Sequence, residues 1–239
     1  QRFRNAVATI YNFYNFSHIG LFRMEENLKQ QPTEIIKIAM FGPESTGKTT
    51  LTKQLAQHFK TNWAPEFARD YLQQKWNNTQ GICEPNDLLP IAVGQIQLEN
   101  TALLTANKLL FCDTNLMVTK VFSEIHYNFC NPILDKAARK HNYDLFLLTD
   151  VDIPWKKDDL RDNPSERTAD FVIFKQALID NKKPYIVISG DEKSRLEKAI
   201  QITNDLVKAK NMGFTSKDFV SIYHKGIDLE ILKNQINTI

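Results

Sequence analysis

The sequence predicts an α/β fold in which a five-stranded, mainly parallel sheet is flanked by helices. Short apolar runs alternate with amphipathic helical segments, the pattern of parallel strands joined by crossover helices. A glycine-bounded loop joins the first apolar run to the first helix, and acidic residues follow the second and later runs. Because ligands bind beyond the carboxyl ends of parallel strands, these junctions are the expected location of a functional site.

The composition fits one α/β domain in a reducing compartment. With 239 residues, 42% of them hydrophobic, the chain can bury one good core but is short for two full domains. Its 30 basic and 28 acidic residues nearly balance, which argues against a nucleic-acid or anionic-membrane partner. No apolar run approaches the roughly 18 residues of a membrane span. Cys83, Cys112 and Cys130 are widely spaced, so we expect free thiols in a cytoplasmic protein.

Residues 1–33 are predicted to be a partly disordered N-terminal extension. The first 23 residues contain arginines and many aromatic residues but no acid. Three interpretations are open: a targeting peptide, a packing arm, or an extension upstream of a natural start at Met24. We favour the third, because the polar stretch after Met24 reads as a lead-in to the first strand.

The first strand is predicted from the apolar run at 35–41, and the loop after it fits the pattern G-x-x-x-x-G-K-[ST]. Two glycines allow a tight turn that points backbone N–H groups at phosphate oxygens, and the following helix adds its positive end. Lys48 supplies charge for the outer phosphates, and the Thr49 hydroxyl is placed to bind Mg²⁺. The loop therefore predicts ATP and Mg²⁺ as cofactors. The predicted nucleotide-binding residues are Gly42, Pro43, Glu44, Ser45, Thr46, Gly47, Lys48, Thr49 and Thr50.

A short second strand is predicted after Asn62, with Glu66 at its end, and it leads into the start of a helix. Glu66, Arg69 and Asp70 are candidates for substrate handling, because they come at or beyond a strand end. The alternative is that they are solvated charges in the first turn of a helix.

The third strand, at 108–112, ends in Asp113, and a scaffold helix at 88–104 precedes it. A carboxylate at such a strand end can reach Mg²⁺ or accept a proton from an attacking hydroxyl. Asp113 could instead cap the next helix, although Thr114 or Asn115 could cap it equally well.

The fourth strand, at 143–150, is followed by a charge-dense span predicted to be a lid that carries arginines. Such a lid excludes water and neutralises charge on a transferring phosphoryl group. Its candidate residues are Asp158, Arg161 and Arg167. The alternative is a solvated loop and helix entry. A fifth strand at 184–190 and a helix from Arg195 complete the pattern.

Taken in order, these motifs resemble the ribosylnicotinamide kinase domain of the NadR family, a branch of the phosphate-loop kinases. The motifs are the loop 42–49, Glu66-Phe67-Ala68-Arg69-Asp70-Tyr71, Phe111-Cys112-Asp113-Thr114, and Pro154-Trp155 with Asp158 to Arg161. The resemblance covers about residues 34–210 and implies a three-layer phosphate-loop NTPase sandwich with strand order 2-3-1-4-5. It implies transfer of the ATP γ-phosphate to the 5′-hydroxyl of nicotinamide riboside, giving nicotinamide mononucleotide.

The resemblance also implies roles for single residues. Lys48 and the loop amides would hold ATP, Thr49 and Asp113 would hold magnesium, and Arg161 would contact the transferring phosphate. Glu66 would orient or deprotonate the substrate hydroxyl, with Arg69 as the nearby cation. One of three aromatic residues would stack on the nicotinamide ring: Trp63, Tyr71 or Trp155.

Two positions depart from the family pattern. The family commonly reads D-T-D where this chain has Asp113-Thr114-Asn115, and it has a longer Glu at position 70. The nucleotidyltransferase signature and DNA-binding motif of multifunctional members are not visible, so we expect neither activity. Two alternatives stay open: a kinase for another nucleoside or sugar, and an ATP-binding regulatory ATPase that does not transfer phosphate. The main support for the second is Asn115.

Residues 211–239 are predicted to be a helical tail outside the kinase core. Its sequence resembles the opening of an uncharacterised bacterial domain family, which would make it the start of a second module. The alternative is a helical hairpin packed on the kinase domain. Both remain open from the sequence.

Overall fold

The computed structural model describes residues 24–156 and 166–236. Five parallel strands form one sheet in the predicted order β2-β3-β1-β4-β5. The strands are β1 (Ile36–Phe41), β2 (Trp63–Ala64), β3 (Leu109–Cys112), β4 (Leu145–Thr149) and β5 (Tyr185–Ile188). The helices in the described ranges, apart from a helical turn at 24–27 and a 3₁₀ turn at Pro85–Asp87, are α1 (Lys48–His58), α2 (Phe67–Thr79), α3 (Leu88–Leu103), α4 (Leu116–Tyr127), α5 (Pro132–Lys140), α6 (Arg167–Asp180), α7 (Glu192–Asn211), α8 (Ser216–His224) and α9 (Leu229–Ile236).

The central strand, β1, is buried on both faces. Ile38 and Met40 belong to one hydrophobic cluster, and Ala39 and Phe41 belong to the other. Successive side chains of a strand point to opposite faces, so helices must cover both sides of the sheet. Because the five strands are parallel, their carboxyl ends meet at one edge, and the predicted site residues that follow them are brought to that edge.

The second strand is only two residues long and ends before Pro65. Proline lacks an N–H group, so it cannot extend the ladder with β3. Glu66 is already the residue that precedes α2, and Phe67 is the first helical residue. Only Pro65 and Glu66 therefore separate the last residue of the strand from the first residue of the helix.

The N-terminal part of the described chain packs against the same core, upstream of the predicted domain boundary. Leu28 is 2% exposed and lies in the larger cluster. Gln30 donates a hydrogen bond of 2.8 Å to Glu99, a buried residue of α3. Glu99 also accepts from Lys37 Nζ at 3.0 Å and from the Tyr143 hydroxyl at 2.5 Å. This shared carboxylate ties β1, α3 and the N-terminal stretch together.

The described part of the tail consists of two helices docked on α7. Phe219 of α8 is buried, and Leu229 of α9 belongs to the same cluster as the strand residues on that face. Thr215 and Asp218 form a capping box that begins α8. The two alternatives for the tail, a hairpin on the kinase domain and the start of a second module, both stay predictions. In the described ranges, we find no helix with the length and apolarity that crossing a bilayer requires.

Asn115 begins α4 and fastens it to the central strand. Its Oδ1 accepts from Met117 N at 3.0 Å and Val118 N at 3.3 Å, and its Nδ2 donates to Met40 O at 3.1 Å. The side chain is fully buried. An aspartate could accept the same two amides but could not donate to Met40 O unless protonated. The departure from the family pattern at this position therefore has a structural use.

Replacing Asn115 by Asp is expected to lower the free energy of unfolding by about 1–3 kcal/mol, because a buried carboxylate oxygen would face the Met40 carbonyl without a proton between them. Urea unfolding at pH 8 measures this change. Asn131→Asp is the matched control, since Asn131 caps α5 through Oδ1 and no bond from its amide nitrogen appears among the described residues. Equal stabilities of the two variants would contradict the assignment.

Candidate functional site

A cavity of about 620 Å³ opens at the carboxyl edge of the sheet. The loop between β1 and α1 forms one side of it, and residues of α2, α3, α4 and α6 form the others. The segments that follow β4 and β5 also contribute. The cavity therefore lies where the strand order reverses around β1, the usual ligand position in a doubly wound sheet.

The loop after β1 is held in a conformation that needs glycine at both ends. Gly42 has a φ of 132° and Gly47 a φ of 81°. A Cβ on Gly42 would lie 2.8 Å from both the carbonyl and hydroxyl oxygens of Thr149. The Thr46 hydroxyl bonds to that Thr149 hydroxyl at 2.7 Å and to Pro43 O at 2.8 Å. The end of β4 thus fixes the loop over the sheet edge.

The loop leads directly into α1, whose first residues line the cavity. Gly47 precedes the helix in a left-handed conformation and provides no side-chain cap. Lys48 Nζ lies over the loop and donates to Gly42 O at 2.9 Å and Pro43 O at 2.5 Å. Thr49 follows in the first turn and lines the cavity. Uncapped amides, a helix N-terminus and an ammonium group together fit a polyphosphate.

Asp113 lies beyond β3 and is 2% exposed. Burial raises the pKa of its carboxyl to about 6, and the nearby negative charge of Glu66 adds to the rise. A hydrogen bond with Thr49 and the positive charge of Lys48 oppose it. Within the described ranges, its buried Oδ1 has no hydrogen-bond partner. A free carboxylate oxygen beside a threonine hydroxyl is a donor set that Mg²⁺ prefers.

Glu66 lines the cavity, whose lining does not include Asp113, and its charge acts on Asp113. It precedes α2 without a side-chain capping bond, so its carboxylate is not used to begin the helix. Arg69, one turn later, also lines the cavity. Asp70 is exposed and does not belong to the lining, as the solvated alternative predicted for it. The structure therefore brings Glu66 and Asp113 together beside Lys48.

The three aromatic candidates for stacking lie outside the cavity lining. Tyr71 of α2 is 5% exposed, and its hydroxyl donates to Asp87 at 3.0 Å. Its side chain therefore joins α2 to the turn before α3. Trp63 packs against the core on the α1 side. The Trp155 Nε1 donates to Glu44 at 3.4 Å, which places its indole beside the loop.

An apolar wall that the sequence did not reveal lines the cavity instead. Its aromatic members are Phe122 of α4 and Phe174 of α6. The apolar residues that join them include Leu72, Cys83, Leu88, Ile91 and Val118. Phe122 comes seven residues after Asn115, hence two turns into α4, and this spacing was the available signal.

The lid residues Asp158 and Arg161 lie outside the described residues. Arg167, the first residue of α6, is buried rather than solvated. Its guanidinium donates to Ser45 O at 3.1 Å and to Ile153 O at 3.1 and 3.2 Å. It therefore links the phosphate loop to the segment after β4, which differs from the mobile position expected of a lid arginine.

Arg195 is a site residue that sequence reasoning missed. It is 4% exposed and lines the cavity from the first turn of α7. It donates to Thr46 O at 2.7 Å, Asp150 O at 2.9 Å and Gly190 O at 2.7 Å, and it pairs with Asp152. Three strand-end segments are thereby joined by one guanidinium. Backbone carbonyls leave no trace in a sequence, so only the position of the arginine after a glycine turn hinted at this role.

The fold and the site define a phosphate-loop nucleotide-binding domain. Residues 37–195 match the model of a family described as AAA domain, and the chain belongs to that family.

The chain is similar to the Trifunctional NAD biosynthesis/regulator protein NadR of Salmonella typhimurium and of Escherichia coli. Each is 27% identical over 180 residues, which cover 74% of this chain and 44% of the relative. The chain thus spans less than half the length of these curated relatives.

Solved structures share the fold. A crystal structure of NadR in complex with NAD and AMP-PNP superposes with a TM-score of 0.57 and 19% identity, over 70% of this chain and 48% of NadR. A second NadR structure, in complex with NR, gives the same TM-score and identity and covers 50% of NadR. Thymidylate kinase from Ehrlichia chaffeensis gives 0.52 at 14% identity, over 72% of this chain and 100% of that one. The predicted fold and the resemblance to the NadR-family kinase domain are confirmed.

Replacing Asp113 by Asn is expected to raise the free energy of unfolding at pH 8 by about 1–3 kcal/mol in metal-free buffer. The folded-state pKa of about 6 lies above the ordinary 3.8, so the wild-type protein loses stability as Asp113 ionises between these pH values. The variant does not, and the difference should vanish below about pH 4. Urea unfolding across pH measures it, with exposed Asp70→Asn as control. A variant less stable than wild type at pH 8 would contradict this account.

Proposed function

We propose that the protein is an ATP-dependent kinase that phosphorylates the 5′-hydroxyl of nicotinamide riboside to nicotinamide mononucleotide. The observation that carries the proposal is that Glu66, on the wall of the cavity, acts on the buried Asp113, which bonds to Thr49 of the Lys48 loop just behind the lining. Two acids at a phosphate-binding loop can serve a metal and an alcohol at once. Similarity to NadR supports the choice of riboside, because NadR has been crystallised in complex with NR.

Each group has a proposed task in this reaction. The loop amides and Lys48 bind the triphosphate of ATP, and the Thr49 hydroxyl and Asp113 hold Mg²⁺. Bound Mg²⁺ supplies positive charge that neutralises the phosphate oxygens. Glu66 orients the acceptor hydroxyl and takes its proton, with Arg69 beside it on the cavity wall. Arg161, outside the described residues, remains the proposed contact of the transferring phosphate.

Glu66 and Asp113 have different surroundings, and these support different roles for the two acids. Asp113 is deeply buried, contacts Thr49 and has one unpartnered oxygen within the described residues, which suits a metal ligand. Glu66 lies between β2 and α2 on the cavity wall and makes no capping bond, so its carboxylate is available to a substrate. We therefore assign proton transfer to Glu66.

The bonding of Asn115 supports the kinase over a regulatory ATPase that does not transfer phosphate. The main argument for the ATPase rested on Asn115 in place of a family acid. Asn115 is buried and fully engaged in capping α4 and bonding to Met40 O. A carboxylate there would be committed to the same helix start, so its absence is no sign of lost chemistry.

An ADP-release assay across a panel of nucleosides tests the proposal. We expect nicotinamide riboside to give at least about 10-fold higher kcat/KM than thymidine and other nucleosides, since each misplaced polar contact costs about 1–3 kcal/mol. ATP turnover without an acceptor should be slow. A different best acceptor would reassign the substrate, and turnover that no riboside changes would favour the ATPase.

Glu66→Gln is expected to lower kcat by about 10²–10⁴-fold, the usual contribution of a general base, while the Kd for ATP stays within about twofold. Asp70→Asn, on the same helix turn but exposed, is the control and should retain full activity. Coupled kinetics and titration calorimetry give the two quantities. Full transfer by the Glu66 variant would remove Glu66 from the base role.

Lys48→Ala should weaken ATP binding under each hypothesis.

A further inference from the structure

The turn that carries Glu66 is held from a second helix. Glu66 lies between Pro65 and Phe67, at the junction of β2 and α2. The Phe67 N–H donates to Oε1 of Gln95 at 2.9 Å, and Nε2 of Gln95 donates to Pro65 O at 3.0 Å. One side-chain amide of α3 therefore bonds to the backbone on both sides of Glu66.

This amide replaces what a helix start usually obtains from its own side chains. The residue before a helix commonly accepts a bond from an N-terminal amide, but Glu66 makes no such bond. Gln95 is 1% exposed and supplies an acceptor to the first helical amide instead. The carboxylate of Glu66 is thereby left for the cavity that it lines.

The residue before Gln95 brings α3 close enough for this contact. A Cβ on Gly94 would lie 2.3 Å from the ring of Phe67, so only glycine lets the two helices approach so closely. Phe67 is buried beside Tyr71 and Ile91 in a small cluster of its own. Packing and hydrogen bonding therefore fix the same turn from the same helix.

The other end of the turn is fixed by the sheet. Asp113 N donates to Ala64 O at 2.9 Å, so the segment carrying Asp113 is bonded to β2 immediately before the turn. Gln95 then bonds to Pro65 and Phe67, one and three residues after Ala64. Between these anchors, the backbone of Glu66 is held relative to the segment that carries Asp113.

We propose that Gln95 is a positioning residue that aims the Glu66 carboxylate at the acceptor hydroxyl. This inference rests on the proposed function of Glu66 and deepens it. Gln95 lines the cavity, and both ends of its amide bond to the backbone around Glu66, which supports a positioning role. A displacement of about 1 Å in a reacting group can cost on the order of 100-fold in rate.

Gln95→Met tests the proposal, because it keeps the length of the side chain and removes both hydrogen bonds. We expect kcat for nicotinamide riboside to fall by about 10–100-fold while the Kd for ATP stays within about twofold. The Phe67 amide should exchange its hydrogen at least about 10-fold faster, since it loses its acceptor. Thr203→Val is the matched control: it removes one buried bond, to Ala199 O, in a helix segment away from the cavity lining.

A double-mutant cycle separates positioning from general damage. In the Glu66→Gln background, Gln95→Met should change the residual rate by less than about twofold, because no base is left to position. An equal loss in both backgrounds would overturn the proposal, as would unchanged kcat or unchanged Phe67 exchange. If Gln95→Met does not fold, Gln95→Asn keeps an amide that is too short to bridge Pro65 O and Phe67 N, and the same outcomes apply to it.

Failure of the proposed function gives a different result. A wild-type protein that phosphorylates no nucleoside overturns the base role of Glu66, and Gln95 is then a structural anchor if Phe67 exchange still responds to its substitution. A wild-type protein that phosphorylates the riboside, with Gln95→Met fully active, leaves the function intact and overturns the positioning role alone.

Discussion

The close approach of Gly42 to Thr149 is the constraint on which the site depends. The loop after β1 can fold back over the sheet edge only because no side chain separates it from the end of β4. That contact lets the Thr46 hydroxyl meet the Thr149 hydroxyl and directs the loop amides and α1 into the cavity. Glu66 and Asp113, the acids that follow β2 and β3, can serve the proposed reaction only because this loop lies beside them.

Features of the fold that depend on local pattern were predictable. The run at 35–41, the glycines around it and the apolar strands at 108–112 and 143–150 each carry their signal within a few residues. The docking of the N-terminal stretch was not predictable in this way. Gln30 meets Glu99, a residue 69 positions later, and no short window of sequence contains both.

The same distinction between local and long-range signals applies to the residues of the site. The positions of Lys48, Thr49, Glu66 and Asp113 were predictable because these residues follow strands or begin helices, where backbone geometry dictates direction, and their roles stay predictions. Tyr71 was misjudged because the helical spacing that brought it near Glu66 also turns it towards Asp87. The anchoring roles of Gln95, Arg167 and Arg195 escaped notice because most of their bonds go to backbone groups, which every residue possesses.

The bonding of Arg195 has a consequence for substitutions in the three segments that it joins. Its guanidinium grips the peptide oxygens of positions 46, 150 and 190, and side-chain identity at those positions scarcely affects a peptide oxygen. A substitution at one of those positions therefore need not break its bond to Arg195, whereas loss of the Arg195 guanidinium would release all three segments at once.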